Sequence, residues 1–456
     1  MKKKNPILAG IMSAFIWGSG QLYNKQFAKG IVFLTLQVIL IAVELGSGHY
    51  FSPYFHWRYA GFLGRGLWGV ITLGTQASIL TLDGRTPGDH SLMLLIQGLM
   101  AIMIIIIVLI FWISNIKDAV NTTKKFNEDG ILISSKKWIS LAWERSFEYF
   151  VMLPAAIMLM FFVFLPIIFS FLIAFTNYNI NNLPPANLVD WRGFQNFRFL
   201  FAMGGTVGGD VWLSTFGRVL YWTLIQAIVL SLVPFALGLL QAVLLNNKRI
   251  KFKKLWRSLL ILPWAMPAML SLLNFRQIFN GTFGPINRWL MDNGFITENI
   301  LWLTDANNIW LPRLTVLAIG IWLGFPYWMA MSSGVMTSVS KEIYEASEID
   351  GASGNQQFWK ITLPLVLAAI APLLIMGFSG AFNNFGLIYF FTGGGPMVPG
   401  MIHAGATDIL ITWIFGLTMD HRMYNMAGVL SIFIFILIAS IAIWQLPKTR
   451  AFKEDE

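Results

Sequence analysis

The chain contains no cysteine at all. Disulfide staples, thiolate metal sites and redox pairs are therefore outside its chemistry. Charge is scarce as well: 12% of the 456 residues are Asp, Glu, Lys or Arg, about half the roughly 25% of a soluble globular chain. Acids are the scarcer sign, 22 against 32 Lys and Arg, which leaves a formal charge of +10. No G-x-x-x-x-G-K-[ST] loop occurs, so nucleotide phosphates have no cradle of the Walker kind. The five histidines, His49, His56, His90, His403 and His421, never fall at i, i+4 spacing, which argues against a metal site on one helix.

Apolar residues fill the gap: 56% are hydrophobic and 15% aromatic, with a mean hydropathy of +0.64. Disorder needs the opposite balance, and water cannot wet so much apolar surface. An integral membrane protein remains. The excess cations sit between apolar runs rather than as a patch on a polar domain, so they report membrane orientation and not a nucleic-acid partner.

Eight apolar stretches are long enough to span. They are Phe27 to Gly48, Leu92 to Ile113, Phe150 to Phe175, Val219 to Leu245, Ser258 to Phe275, Leu314 to Val339, Ile361 to Phe391 and Met426 to Leu446. Ile7 to Tyr23 and Gly61 to Leu82 are interrupted by Gly or Arg65 and read as interfacial or re-entrant. The fold class is thus an all-α integral membrane protein with about eight transmembrane helices. Lys2, Lys3 and Lys4, the cations between Lys117 and Arg145, and the acid-free run Lys248 to Arg257 mark one side. The positive-inside rule places that side, with both termini, in the cytoplasm. Residues 1–149 read as an N-terminal membrane module ending in the polar stretch Lys117 to Glu148, and residues 150–456 as the core.

Catalytic constellations are missing, and no reaction is expected of this chain. The informative segment is Ser340 to Gly354, on the cytoplasmic side. Ser340 is suited to cap a helix with Glu342 in its first turn. Asp350-Gly351 then offers a turn, and Ser353 with Gln356 fits a capping box opening a second helix. Spacing alone is equally compatible with a plain connecting loop.

The string Glu345-Ala346-x-x-x-Asp350-Gly351-Ala352, followed by Phe358-x-x-Ile361-x-Leu363-Pro364, resembles the EAA motif of membrane subunits of binding-protein-dependent ABC importers. Ser347 stands where that family usually has a second Ala. The resemblance implies a six-helix type I importer core whose elbow, through Tyr344, Glu345, Ala346, Asp350, Gly351 and Ala352, docks on an ATPase. Trp322-Leu323-Gly324-Phe325-Pro326-Tyr327, Phe382-Asn383-Asn384-Phe385 and Thr392-Gly393-Gly394-Gly395-Pro396 narrow it to the MalF-type subunit of maltose and maltodextrin importers. Contact with sugar then falls to Trp322, Leu323, Gly324, Tyr327 and Asn384, with Asn383 beside them, while Gly380 and Ala381 replace bulkier family residues. Aromatic faces and amides are what a sugar needs, although such residues also pack and bond between helices. The stretch Trp17 to Asn24 with Lys29-Gly30 is similar to the N-terminal extension of Gram-positive maltodextrin permeases.

The resemblance implies a subunit of a bacterial plasma-membrane importer. Its partners would be a second homologous permease subunit, two copies of a cytoplasmic ATPase that bind the ATP and Mg, and an extracellular sugar-binding lipoprotein. This chain itself would hold no cofactor. Another glycan, or glycerol phosphate, is the alternative within the family. An ion-coupled secondary transporter is the alternative outside it, opposed by core spans free of charged interiors.

Overall fold

The computed structural model describes residues 3–81, 84–129, 135–201, 208–247 and 249–445. Lys2, Lys248, Leu446 and both chain ends lie outside the described residues. Nearly all regular structure is helical; a two-residue antiparallel pair, Leu80–Thr81 with Gly84–Arg85, is the described strand content.

Among the described residues, six helices are long and apolar enough to cross a membrane: Phe27–Ser47, Ser91–Glu128, Phe147–Ile173, Gly209–Asn246, Trp310–Ser338 and Gly354–Phe391. The pair Lys253–Ala265 and Ala268–Ile278, bent by 88°, makes a seventh if taken as one span. Tyr424–Gln445 has 22 residues, about 33 Å at 1.5 Å per residue. Each of the eight apolar stretches therefore lies on a helix or a broken helix. The helices in the two doubtful stretches are Pro6–Phe15, Ser19–Tyr23 and Phe62–Thr72, of 10, 5 and 11 residues, too short for a bilayer core of about 30 Å.

Proline explains the irregular places. Pro267 starts the second half of the broken pair after an extended Met266, whereas Pro263, Pro326 and Pro372 lie inside helices that continue past them. Two π turns, Met160–Phe164 and Phe358–Thr362, each end two residues before a proline, Pro166 and Pro364. A proline cannot donate to the carbonyl four residues back and its ring crowds that carbonyl, so the widened turn relieves both defects.

The chain divides by contacts into Met1–Gly193 and Phe194–Glu456. This division falls after the polar joint near residue 149, because Leu165–Ile173 packs on Ser91–Asp129. The following loop also bonds back: Ser91 Oγ accepts from Val189 N at 3.0 Å and Trp191 Nε1 donates to the Val70 carbonyl at 3.0 Å.

In the first unit, Asn5 caps Pro6–Phe15 by accepting from Ile7 N and Leu8 N. That helix and Ser19–Tyr23 fold against the far half of the 39-residue helix Ser91–Asp129. The motif residues supply the polar contacts. Gln21 Nε2 donates to the Asn115 carbonyl at 2.9 Å, Asn24 Nδ2 to Thr123 Oγ1 at 2.7 Å, and Gly18 N to Asn115 Oδ1 at 3.1 Å. Lys29 pairs with Asp118. Buried amides in an apolar setting are costly unless satisfied, so the Trp17 to Gly30 pattern is that of a clasp.

In the second unit, Gly209–Asn246 and Trp310–Ser338 form the central pair. Gly238 permits it: a Cβ there would stand 2.5 Å from Met329 N and 2.7 Å from the Phe325 carbonyl oxygen. Trp222, Val316, Ile319, Leu387, Ile388, Phe391 and Ile409 make one buried cluster, and Phe235, Leu239, Trp328, Val366 and Ile370 another.

Candidate functional site

The elbow forms as its residues suggest. Ser340 accepts from Glu342 N at 3.2 Å to open Lys341–Ile349. Asp350 ends that helix and Gly351 turns the chain at φ +77°, a left-handed conformation that suits glycine. Ser353 and Gln356 complete a reciprocal capping box at 3.3 and 2.8 Å, opening Gly354–Gln357. The second helix runs through the π turn into Leu363–Phe382, so the elbow is joined to a span without a flexible linker.

Hydrogen bonds fasten the elbow's first helix to that junction. Tyr344 OH lies 3.0 Å from Thr362 Oγ1. Gln357 Nε2 donates to Ser347 Oγ at 2.9 Å, and Ser347 Oγ donates to the Tyr344 carbonyl at 2.7 Å. Of the residues expected to meet a partner, Glu345, Ala346, Asp350 and Gly351 are exposed, Ala352 is half-buried, and Tyr344 is turned inward by its Thr362 bond. Ile349 is instead the outstanding surface apolar group, 87% exposed. A cleft of about 1020 Å³ lies between the elbow and the ends of Gly209–Asn246 and Trp310–Ser338, with Lys341, Glu345 and Glu348 of the elbow helix and Arg249 among its lining residues.

The second candidate region is a break within the long Gly354–Phe391 segment. Leu363–Phe382 stops at Asn383, and Asn384 restarts it by accepting from Leu387 N at 3.2 Å. Trp310–Ser338 packs on both halves. A Cβ on Gly320 would touch Leu387 at 3.0 Å, and one on Gly377 would touch Trp328 at 3.0 Å. In sequence, Asn383-Asn384 falls between Gly377 and Leu387, whose neighbours Trp328 and Gly320 bracket Trp322 to Tyr327.

The residues on that turn point in different directions, as consecutive helical positions about 100° apart must. Trp322 is 49% exposed and meets Phe325 edge-on. Leu323 packs on the cluster containing Leu387, Gly324 faces Pro234, and Tyr327 lies against Trp328 and Trp264 at ring separations of 5.2 and 6.0 Å. Asn383 is exposed, Asn384 half-buried, and the space beside Gly380 is open.

The Thr392 to Pro396 turn is tied by Thr392 Oγ1 to Thr407 Oγ1 at 2.7 Å. Asp408 closes the same loop, accepting from Gly405 N at 2.8 Å and from Thr412 Oγ1 at 2.7 Å. Burial pushes its carboxyl up to about 6, with those two donors working against the rise. Nearby, burial and then the neighbouring His421 hold the His403 imidazole below its usual value.

Residues 235–450 match the model of the binding-protein-dependent transport system inner membrane component. The galactooligosaccharides transport system permease protein GanP of Bacillus subtilis is 39% identical over 445 residues, 98% of each chain. This chain belongs to the MalF-type family of sugar permease subunits of ABC importers. The maltodextrin transport system permease protein MalC of Streptococcus pneumoniae is 34% identical over 465 residues, covering 100% of this chain and 99% of that one. Against the maltose/maltodextrin permease protein MalF of Escherichia coli the match is 32% over 278 residues, 60% of this chain and 52% of the other. A bacterial ABC transporter for import of alginate shares the fold: TM-score 0.55 and 20% identity, over 69% of this chain and 99% of that one. The chain is thus a multi-pass membrane permease subunit and not an enzyme.

Within this family framework, sequence reasoning missed Thr362, Gln357 and Asp408. Ser347 was visible only as a small residue in place of Ala; its hydroxyl is an acceptor for Gln357. The available signal was a polar Gln just before the π turn and a Thr at its end, five residues apart.

Proposed function

We propose that this permease subunit forms part of the path for a neutral oligosaccharide and is driven by ATP hydrolysed in a separate partner. The supporting observation is the interrupted span at Asn383-Asn384, flanked by approaches to either side of an aromatic-rich turn, with no Asp, Glu, Lys or Arg in the stretches Val219 to Leu245, Leu314 to Val339 and Ile361 to Phe391. A broken helix exposes backbone and amide groups that hydroxyls can use, and Trp322 or Tyr327 offers an apolar ring face. A glycerol phosphate would need cations in the same place.

Maltodextrin is the reading that the Trp322 to Tyr327 and Phe382 to Phe385 strings support. Galactooligosaccharide is the second reading, favoured by the 39% identity to GanP against 34% to MalC. The elbow faces the cytoplasm and two ATPase copies, which supply ATP and Mg; a homologous permease and an extracellular binding lipoprotein complete the assembly. The termini share the elbow's side.

The test is uptake into vesicles holding the complete transporter, with maltodextrins and galactooligosaccharides offered separately. ATP-dependent uptake of one and not the other assigns the glycan. Uptake that persists without ATP, driven by an ion gradient, would overturn the main reading. Asn384→Ala and Trp322→Ala should each raise the sugar concentration needed for half-maximal uptake.

A further inference from the structure

A second hollow, separate from the elbow cleft, lies where Gly209–Asn246 ends beside Lys253–Ala265. It holds about 180 Å³ and is lined by Gln241, Leu244, Leu245, Ile250, Trp256 and Leu260. Leu244 and Trp256 open on the surface, 52% and 49% exposed. The one polar wall group, Gln241 Oε1, is buried without a hydrogen-bond partner, a costly state unless something donates to it.

The rim is basic. Lys253 Nζ donates to the Asn246 carbonyl at 3.3 Å and Arg257 Nη2 to Asn246 Oδ1 at 2.7 Å, so both cations are fixed at the negative end of the helix dipole. Lys251 and Lys254 adjoin them in sequence. No Asp or Glu occurs between Asp210 and Asp292, and the ion pairs among the described residues, Lys29–Asp118 and Arg58–Asp89, are elsewhere.

We propose that this notch binds an anionic phospholipid. An acyl chain lies along Leu244, Trp256 and Leu260, while the phosphate meets Lys251, Lys254 and Arg257. The apolar wall would take any acyl chain; the uncompensated cations select the anionic headgroup. The proposal is independent of which glycan is carried.

The complete transporter, purified and challenged with equal phosphatidylglycerol and phosphatidylcholine of matched chains, provides the test by native mass spectrometry. Preferential retention of phosphatidylglycerol is expected, reduced about 30-fold in Lys251→Gln/Lys254→Gln, a pair that leaves the Asn246 contacts intact. Equal retention of the two lipids, or a preference unchanged in the variant, would overturn the proposal. A photoreactive residue at Leu244 adds an independent readout in nanodiscs of the same mixture. A phospholipid adduct supports the notch, and an adduct only to a partner subunit refutes it.

Discussion

Gly351 offers the sharpest test of the elbow. Its backbone sits at φ +77°, and a Cβ placed there would meet no atom within 4 Å. Any cost of substitution within this chain is therefore conformational and not a clash. An L-residue in that region costs roughly 1–2 kcal/mol, more if β-branched, and little for Asn. At about 1.4 kcal/mol per factor of ten, Gly351→Ala should open the turn roughly 5- to 30-fold more often. Gly351→Val should exceed that, and Gly351→Asn should stay near the parent. Hydrogen exchange of residues 341–357 in the assembled transporter reads the opening directly. Sugar moved per ATP hydrolysed, in vesicles with the same subunit content, reads the coupling. Both should follow the order Asn, Ala, Val. Full coupling in Gly351→Val would refute the role given to the elbow. Equal damage by Asn and Val would refute the conformational reasoning and point to crowding against a partner.

Ser347→Ala removes the nearer of two acceptors of Gln357, leaving the Tyr344 carbonyl at 3.4 Å, and also the Ser347 bond to that carbonyl; exchange in Lys341–Ile349 should rise by the equivalent of about 1 kcal/mol, although Ala is the family's usual residue. Asp408 is protonated more readily in the folded chain than its ordinary 3.8, at about 6, so the folded state binds the extra proton. Its contribution is full below pH 3.8 and declines as pH rises toward 6, by up to about 3 kcal/mol; melting of the parent should fall over this window relative to Asp408→Asn. Asn384→Asp keeps the cap on Leu387 N but adds charge beside the path. Thermal stability should hold while uptake falls at least tenfold, and unchanged uptake would remove Asn384 from the path.

Local rules carried the elbow far. Ser340, Gly351, Ser353 and Gln356 act within a few residues of themselves, and their geometry follows from chemistry a short sequence window contains. The spans were equally legible, since length and hydropathy are summed properties. What stayed hidden depends on distant partners. Tyr344 looked like an outward contact because nothing nearby shows that Thr362 would meet it. Nothing in the sequence singles out Asp408, although Gly405, Thr412 and burial make it a buried clamp. Trp322, Leu323 and Gly324 are adjacent in sequence but face different neighbours, a consequence of helical pitch that a motif string conceals.

The clasp at the start of the chain also imposes an order of assembly. Gln21 and Asn24 find their hydrogen-bond partners 94 to 99 residues later, at Asn115, Ala119 and Thr123. At roughly 5–20 residues per second of synthesis, those partners emerge on the order of 5–20 s after the residues that need them. Until then the amide Gln21 Nε2 and Asn24 Nδ2 donors lack those partners and turn to water or headgroups, while Gln21 Oε1 can already accept from Ser13 Oγ. The N-terminal segment must therefore wait at the membrane surface, and its docking is a late event timed by the arrival of the long helix Ser91–Asp129.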